Sequence, residues 1–101
     1  MVVGHLPEID AYGNRKWYVE GQLHRDGGLP AIERVNGDRE WWVDGNRHRD
    51  GGLPAVELAD SHREWYVEGR MHRDGGLPAM EFANGNREWQ SRMVGKWPHA
   101  S

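Results

Sequence analysis

The chain has 101 residues and a formal net charge of −3, with 37% hydrophobic and 29% charged residues. An acidic balance gives no general attraction to phosphate backbones or anionic lipid surfaces. The lack of cysteine excludes disulfides and thiolate metal sites. No apolar run approaches the ~20 residues of a membrane-spanning helix, and Met1-Val2-Val3-Gly4-His5-Leu6-Pro7 has no basic region ahead of an apolar stretch. The expectation is a soluble, cytoplasmic chain. Its apolar content is concentrated in six Trp and three Tyr, with one Phe. Rings that each bury ~150–250 Å² can stand in for a broad aliphatic core.

In chain order, Leu6-Pro7-Glu8-Ile9-Asp10 opens as a strand, and from Arg15 onward the sequence repeats itself. Trp17, Trp41, Trp65 and Trp89 recur at a step of 24 residues, as do Arg15, Arg39, Arg63 and Arg87. The octet His-Arg-Asp-Gly-Gly-Leu-Pro-Ala begins at His24, His48 and His72 without a change. Turn formers punctuate every unit at three places. These are Asn36-Gly37, Asp60-Ser61 and Asn84-Gly85; then Gly21, Gly45 and Gly69, each after an acidic residue; then the Gly-Gly pairs closed by Leu-Pro. Between turns lie short alternating segments rich in β-branched and aromatic residues, such as 55–59 and 64–68. The pattern predicts an all-β fold: tandem 24-residue β-hairpin repeats forming an extended, twisted antiparallel sheet. The expected organisation is a single repeat domain over 1–101. It comprises an N-terminal half-unit 6–23, repeats 24–47, 48–71 and 72–95, and a degenerate C-terminal cap 90–101, since terminal repeats must present a finished edge.

Alternation along the strands places Trp41 and Val43 on one face and Glu40, Trp42 and Asp44 on the other. The expected packed face is the ladder Trp17, Trp41, Trp65 and Trp89 with Val19, Val43, Val67, Ile32, Val56 and Met80. The second ladder, Tyr18, Trp42 and Tyr66, is then half exposed. A one-residue slip would exchange the two.

The unit REWYVEGRMHRDGGLPAMEFANG resembles the MORN repeat, and is closest to the variant of bacterial, phage and giant-virus proteins. Trp-Tyr-Val-Glu-Gly at 65–69, with its copies at 17–21 and 41–45, matches the aromatic strand and acidic-Gly turn of that family. His24, His48 and His72 match its connecting His, and the likeness covers residues 6–89. Two departures stand out: Tyr18, Trp42 and Tyr66 replace a Gly inside the aromatic strand, and Arg-Asp-Gly-Gly-Leu-Pro-Ala replaces a Gly-Lys-Gly continuation. The resemblance implies stacked hairpins that engage proteins, with no catalytic residue.

The residues of the unit bear on three chemistries. His24, His48 and His72 each precede Asp26, Asp50 and Asp74 by two positions, a metal-ligand combination. Equivalent residues of stacked units lie ~9–10 Å apart, however, against the ~2 Å that zinc requires. The expectation is therefore no metal and no cofactor, with each His orienting the connection and each Asp capping the Gly-Gly turn. Arg residues beside aromatic rings can stack single-stranded bases, but Glu33, Glu57 and Glu81 offer cross-strand ion pairs instead, which argues against nucleic acid. Any catalytic constellation inside the unit would be present three times, so no enzyme activity is expected. The expected function is protein binding, with Tyr18, Trp42, Tyr66, Glu20, Asp44, Glu68, Arg39 and Arg63 as contact residues. Trp17, Trp41, Trp65, Trp89, His24, His48 and His72 are the structural set. By analogy and size, a phage- or bacterium-encoded inhibitor of the anti-CRISPR or another anti-defence type fits this description. A self-assembling homo-oligomer, for instance a homodimer through the second ladder, is the competing reading.

Overall fold

The computed structural model describes residues 6–88. Trp89 and the cap 90–101 lie outside the described residues. The described chain is all β, and no helix in it is long and apolar enough to cross a membrane. Strands are only two residues long. They are β1 (Glu8–Ile9), β2 (Arg15–Lys16), β3 (Tyr18–Val19), β4 (Gln22–Leu23), β5 (Ile32–Glu33), β6 (Arg39–Glu40) and β7 (Trp42–Val43). The chain continues through β8 (Asn46–Arg47), β9 (Val56–Glu57), β10 (Arg63–Glu64), β11 (Tyr66–Val67), β12 (Arg70–Met71), β13 (Met80–Glu81) and β14 (Arg87–Glu88). One antiparallel sheet runs β1-β2-β5-β6-β9-β10-β13-β14, while β3–β4, β7–β8 and β11–β12 are separate short hairpins. The array is elongated, 50 × 26 × 20 Å.

Each unit therefore carries two hairpins where the sequence suggested one, and the aromatic strand breaks at its Trp. The backbone of Trp41 explains the break. Its N–H donates to the Ala55 carbonyl of the main sheet at 2.8 Å, and its own carbonyl accepts from the His48 N–H of the short hairpin at 3.1 Å. Trp17 and Trp65 divide their backbone groups in the same way. The Trp is thus the point where the chain passes from one sheet to the other. Its ring is the core of the unit: Trp17, Trp41 and Trp65 are buried together with Ala31, Ala55, Ala79, Ile32 and Val56.

The two turn types are set by different residues. Asn36-Gly37 is not a two-residue turn. The Gly37 N–H bonds the Arg34 carbonyl at 2.9 Å and the Arg34 N–H bonds Asp38 at 2.9 Å, so Val35, Asn36 and Gly37 form a three-residue loop with Gly37 at φ 101°. The two-residue loops are Glu20-Gly21, Asp44-Gly45 and Glu68-Gly69, in which both residues have positive φ. Ser61 occupies the Gly37 position of the next unit at φ 81°, where a Cβ is strained. Ser61→Gly is expected to raise stability by about 1 kcal/mol, read as a higher urea midpoint at unchanged slope.

The N-terminal half-unit is slipped by one residue. Ile9 pairs with Arg15 as Glu33 pairs with Arg39, so Ile9 stands where later units have Glu, and it is 64% exposed. Leu6-Pro7 sits one residue nearer Trp17 than Leu29-Pro30 does to Trp41, and a shift of one residue turns a side chain to the opposite face.

The face assignment also needs correction. Val56 pairs across the sheet with Glu40 and Glu64, and Ile32 with Glu40. Ile32, Val56 and Met80 therefore share a face with Glu40 and Glu64, not with the Trp ladder. Val19 and Val43 are half-buried and Val67 is exposed. Period-two counting fails here because the chain changes sheet at each Trp.

Candidate functional site

The two faces of the main sheet differ in how faithfully they repeat. On the arginine face, Arg15, Arg39 and Arg63 donate to Glu33, Glu57 and Glu81 at 3.3, 3.1 and 3.0 Å. Each Glu accepts a second guanidinium from the loop that precedes it, Arg25, Arg49 and Arg73, at 3.3, 3.2 and 2.9 Å. Those loop arginines also donate to the carbonyls of Pro30, Pro54 and Pro78. Their guanidinium carbons lie over Trp17, Trp41 and Trp65 at 3.6, 3.7 and 3.7 Å from the ring centroids. Two of the rings are tied to the Gly-Gly loop thirteen residues upstream: Trp41 Nε1–H bonds the Gly28 carbonyl at 2.9 Å and Trp65 Nε1–H bonds the Gly52 carbonyl at 3.0 Å. Every member of this lattice is the same residue in each unit. Arg39 and Arg63, expected at a partner interface, are held in it as ion pairs.

His24 and His48 each tie a connecting loop to the hairpin tip twenty residues on. The backbone N–H of Asp44 donates to His24 Nδ1 at 3.0 Å, and that of Glu68 to His48 Nδ1 at 3.0 Å. A backbone amide can only donate, so Nδ1 is unprotonated and Nε2–H points to the Asp26 and Asp50 carboxylates, both at 2.7 Å. Each Asp thus orients a His. Glu20, Asp44 and Glu68 are the first residues of the two-residue turns and project at the hairpin tips, exposed.

The opposite face does not repeat. Its equivalent positions hold Lys16, Glu40 and Glu64; Tyr18, Trp42 and Tyr66; Leu23, Arg47 and Met71; Arg34, Leu58 and Phe82; Asp38, His62 and Asn86. Register and contacts place these side chains together. Tyr18 pairs with Leu23, Trp42 with Arg47 and Tyr66 with Met71. Glu40 is buried and accepts Trp42 Nε1–H at 2.9 Å and Arg34 at 3.3 Å, with Arg47 Nε 3.6 Å away. The Arg47 guanidinium stands between two rings, 5.3 Å from Trp42 and 5.2 Å from Tyr66. One unit on, Glu64 accepts Tyr66 O–H at 2.8 Å and pairs with His62 at 2.7 Å, and the His62 ring lies 4.7 Å from Phe82. The half-buried ladder Tyr18, Trp42 and Tyr66 is therefore here, but two of its members are hydrogen-bonded and not free-standing. Sequence reasoning missed Glu40, Arg47, His62 and Phe82. The available signal was their departure from the repeat.

Burial, then the hydrogen bond to Glu64, raises the Tyr66 pKa above the usual tyrosine range. A group whose folded pKa is raised contributes stability that is present below about pH 10 and is lost as pH climbs through the folded value. Tyr66→Phe is expected to remove that part of the alkaline loss, measured as denaturation midpoints at stepped pH.

Among the described residues no cluster of three His, Asp or Glu side chains could hold a metal ion. Comparison with known proteins finds no matching protein family, no matching curated protein and no matching solved structure.

Proposed function

We propose that the protein is a non-enzymatic protein-binding module whose partner rests on the non-repeating face around Tyr18, Leu23, Trp42, Arg47, Tyr66 and Met71. One observation carries this reading: the arginine lattice is built from identical residues, whereas most side-chain positions of the opposite face differ between units. An array that need only stack is satisfied by identical units. A single partner presents a surface that does not repeat every ~9–10 Å, and it calls for a face that does not repeat either. Trp, Tyr and Arg are also the residues enriched where binding energy concentrates. The MORN-like unit supports the same reading, and a module that covers a working surface acts as an inhibitor. Base stacking finds no platform in the Trp ladder, whose rings are buried beneath arginines.

The test is affinity purification, identification of the protein recovered, and hydroxyl-radical footprinting of the reconstituted complex. Protection is expected at Tyr18, Leu23, Trp42 and Met71, with none at Val35 on the exposed loop tip. Protection confined to the arginine face would overturn the proposal.

A further inference from the structure

The repeating side of the molecule carries rows of opposite charge with one common spacing. Along the sheet, Arg15, Glu33, Arg39, Glu57, Arg63, Glu81 and Arg87 alternate across neighbouring strands. The loops add Arg25, Arg49 and Arg73 to the three carboxylates. Seven guanidinium groups thus meet three carboxylates, in a chain whose overall charge is negative. The side chains of Arg15, Arg39 and Arg63 are 57%, 53% and 50% exposed.

On the loops beyond the Arg–Trp stacks stands the opposite row. Asp26, Asp50 and Asp74 have side chains 87%, 93% and 94% exposed, and each uses one oxygen on its own His. The same loops hold Leu29, Leu53 and Leu77, large apolar side chains left 47%, 48% and 49% exposed. The cleft between the first two loops is lined by Asp26, Leu29, Asp50 and Leu53 along with Arg25 and Arg49. Every one of these residues recurs at the same step, so basic, apolar and acidic rows run parallel with a shared period of ~9–10 Å.

From this pattern we infer that a second copy of this chain docks on the arginine side, related by a two-fold axis. In that arrangement the Asp26, Asp50 and Asp74 row of each copy faces the Arg15, Arg39 and Arg63 row of the other, and the two leucine rows meet between them. Two parallel rows of opposite sign are complementary to themselves under a two-fold rotation, and such an interface is closed. The common period means that all three contacts form in one register. An acidic foreign surface could match the Arg row, but nothing would make it match the charge, the leucines and the spacing together. Trp42 also borders this cleft, but the charged and leucine rows are not among the residues proposed above to hold a foreign partner, so separate substitutions test the two proposals.

Sedimentation velocity of the full chain tests it, over a range of concentrations and salt. A dimer is expected that weakens between ~0.1 M and ~1 M salt, as the Debye length falls from ~10 to ~3 Å. The triple change Asp26→Asn, Asp50→Asn and Asp74→Asn keeps an acceptor for each His but removes the charge. It should weaken the dimer at least tenfold without moving the denaturation midpoint. Leu53→Asp should do the same. A charge swap guards against damage to the fold. The Asp→Lys triple variant and the Arg15→Glu, Arg39→Glu, Arg63→Glu triple variant should each be monomeric alone and should form a heterodimer when mixed. A monomer at every concentration in low salt would overturn the inference. So would a dimer indifferent to the Asp→Asn changes or dispersed only by substitutions around Trp42.

Discussion

Trp41→Ala is expected to cost about 3–5 kcal/mol, the range for removing a large buried aromatic, and a large share of the 5–15 kcal/mol that holds a typical domain together. Trp41 is 5% exposed. It fills the space beside Ala55, gives its Nε1–H to the Gly28 carbonyl and carries Arg49 on its face. Its loss would empty the junction between two units and leave Arg49 without its platform. Because each unit contacts mainly its neighbours, the damage would reach the Gly-Gly loop of the same unit through Gly28 and the next unit through Ala55 and Arg49. Urea denaturation followed by the remaining Trp fluorescence measures this. A midpoint shift worth less than about 1 kcal/mol would show that the ladder is not the core.

Glu40→Ala should be the next most damaging change, at about 2–3 kcal/mol, the scale of a lost charged hydrogen bond plus the desolvation left behind. Glu40 is buried between Ile32 and Val56, and three groups depend on it: Trp42 Nε1–H, Arg34 and Arg47. Removing it strands a ring N–H and two guanidinium groups on a half-buried face. Glu40→Gln keeps an acceptor and should recover about half of the loss. Equal losses for the two variants in chemical denaturation would mean that charge, and not hydrogen bonding, holds this cluster.

The repeat made most of the fold legible before any coordinates. The 24-residue step, the three turn positions and the all-β class follow from Gly, Pro and aromatic placement. Pairing of Arg39 with Glu57 follows because opposite charges at equivalent places must meet across neighbouring strands. Three things were not legible. Alternation assumes an unbroken strand, and at Trp41 the backbone passes from one sheet to another, so Ile32, Val56 and Met80 fell on the wrong face. The partner of His24 is a backbone amide twenty residues away, and no side-chain pattern marks an amide. Glu40 reads as a solvent-facing acid in a charged segment; only the convergence of Arg34, Trp42 and Arg47 explains its burial. At the candidate site the ladder Tyr18, Trp42 and Tyr66 was legible as a stripe. Its ties to Glu40 and Glu64 were not, because they depend on how far each side chain reaches across the strand.

The division of labour between the faces is the central claim, and one paired measurement tests it. Position 23, 47 and 71 accepts Leu, Arg and Met in turn, so Leu23→Glu with Met71→Glu should fold normally while recharging the non-repeating face. Glu57→Gln, by contrast, weakens the lattice that holds Arg39 and Arg49. Affinity for the identified partner by calorimetry and the urea midpoint should be measured for both variants. The account predicts that the double variant loses binding at an unchanged midpoint, and that Glu57→Gln loses stability at unchanged affinity while folded. Full binding by the Leu23→Glu, Met71→Glu variant, or loss of binding by folded Glu57→Gln, would contradict it.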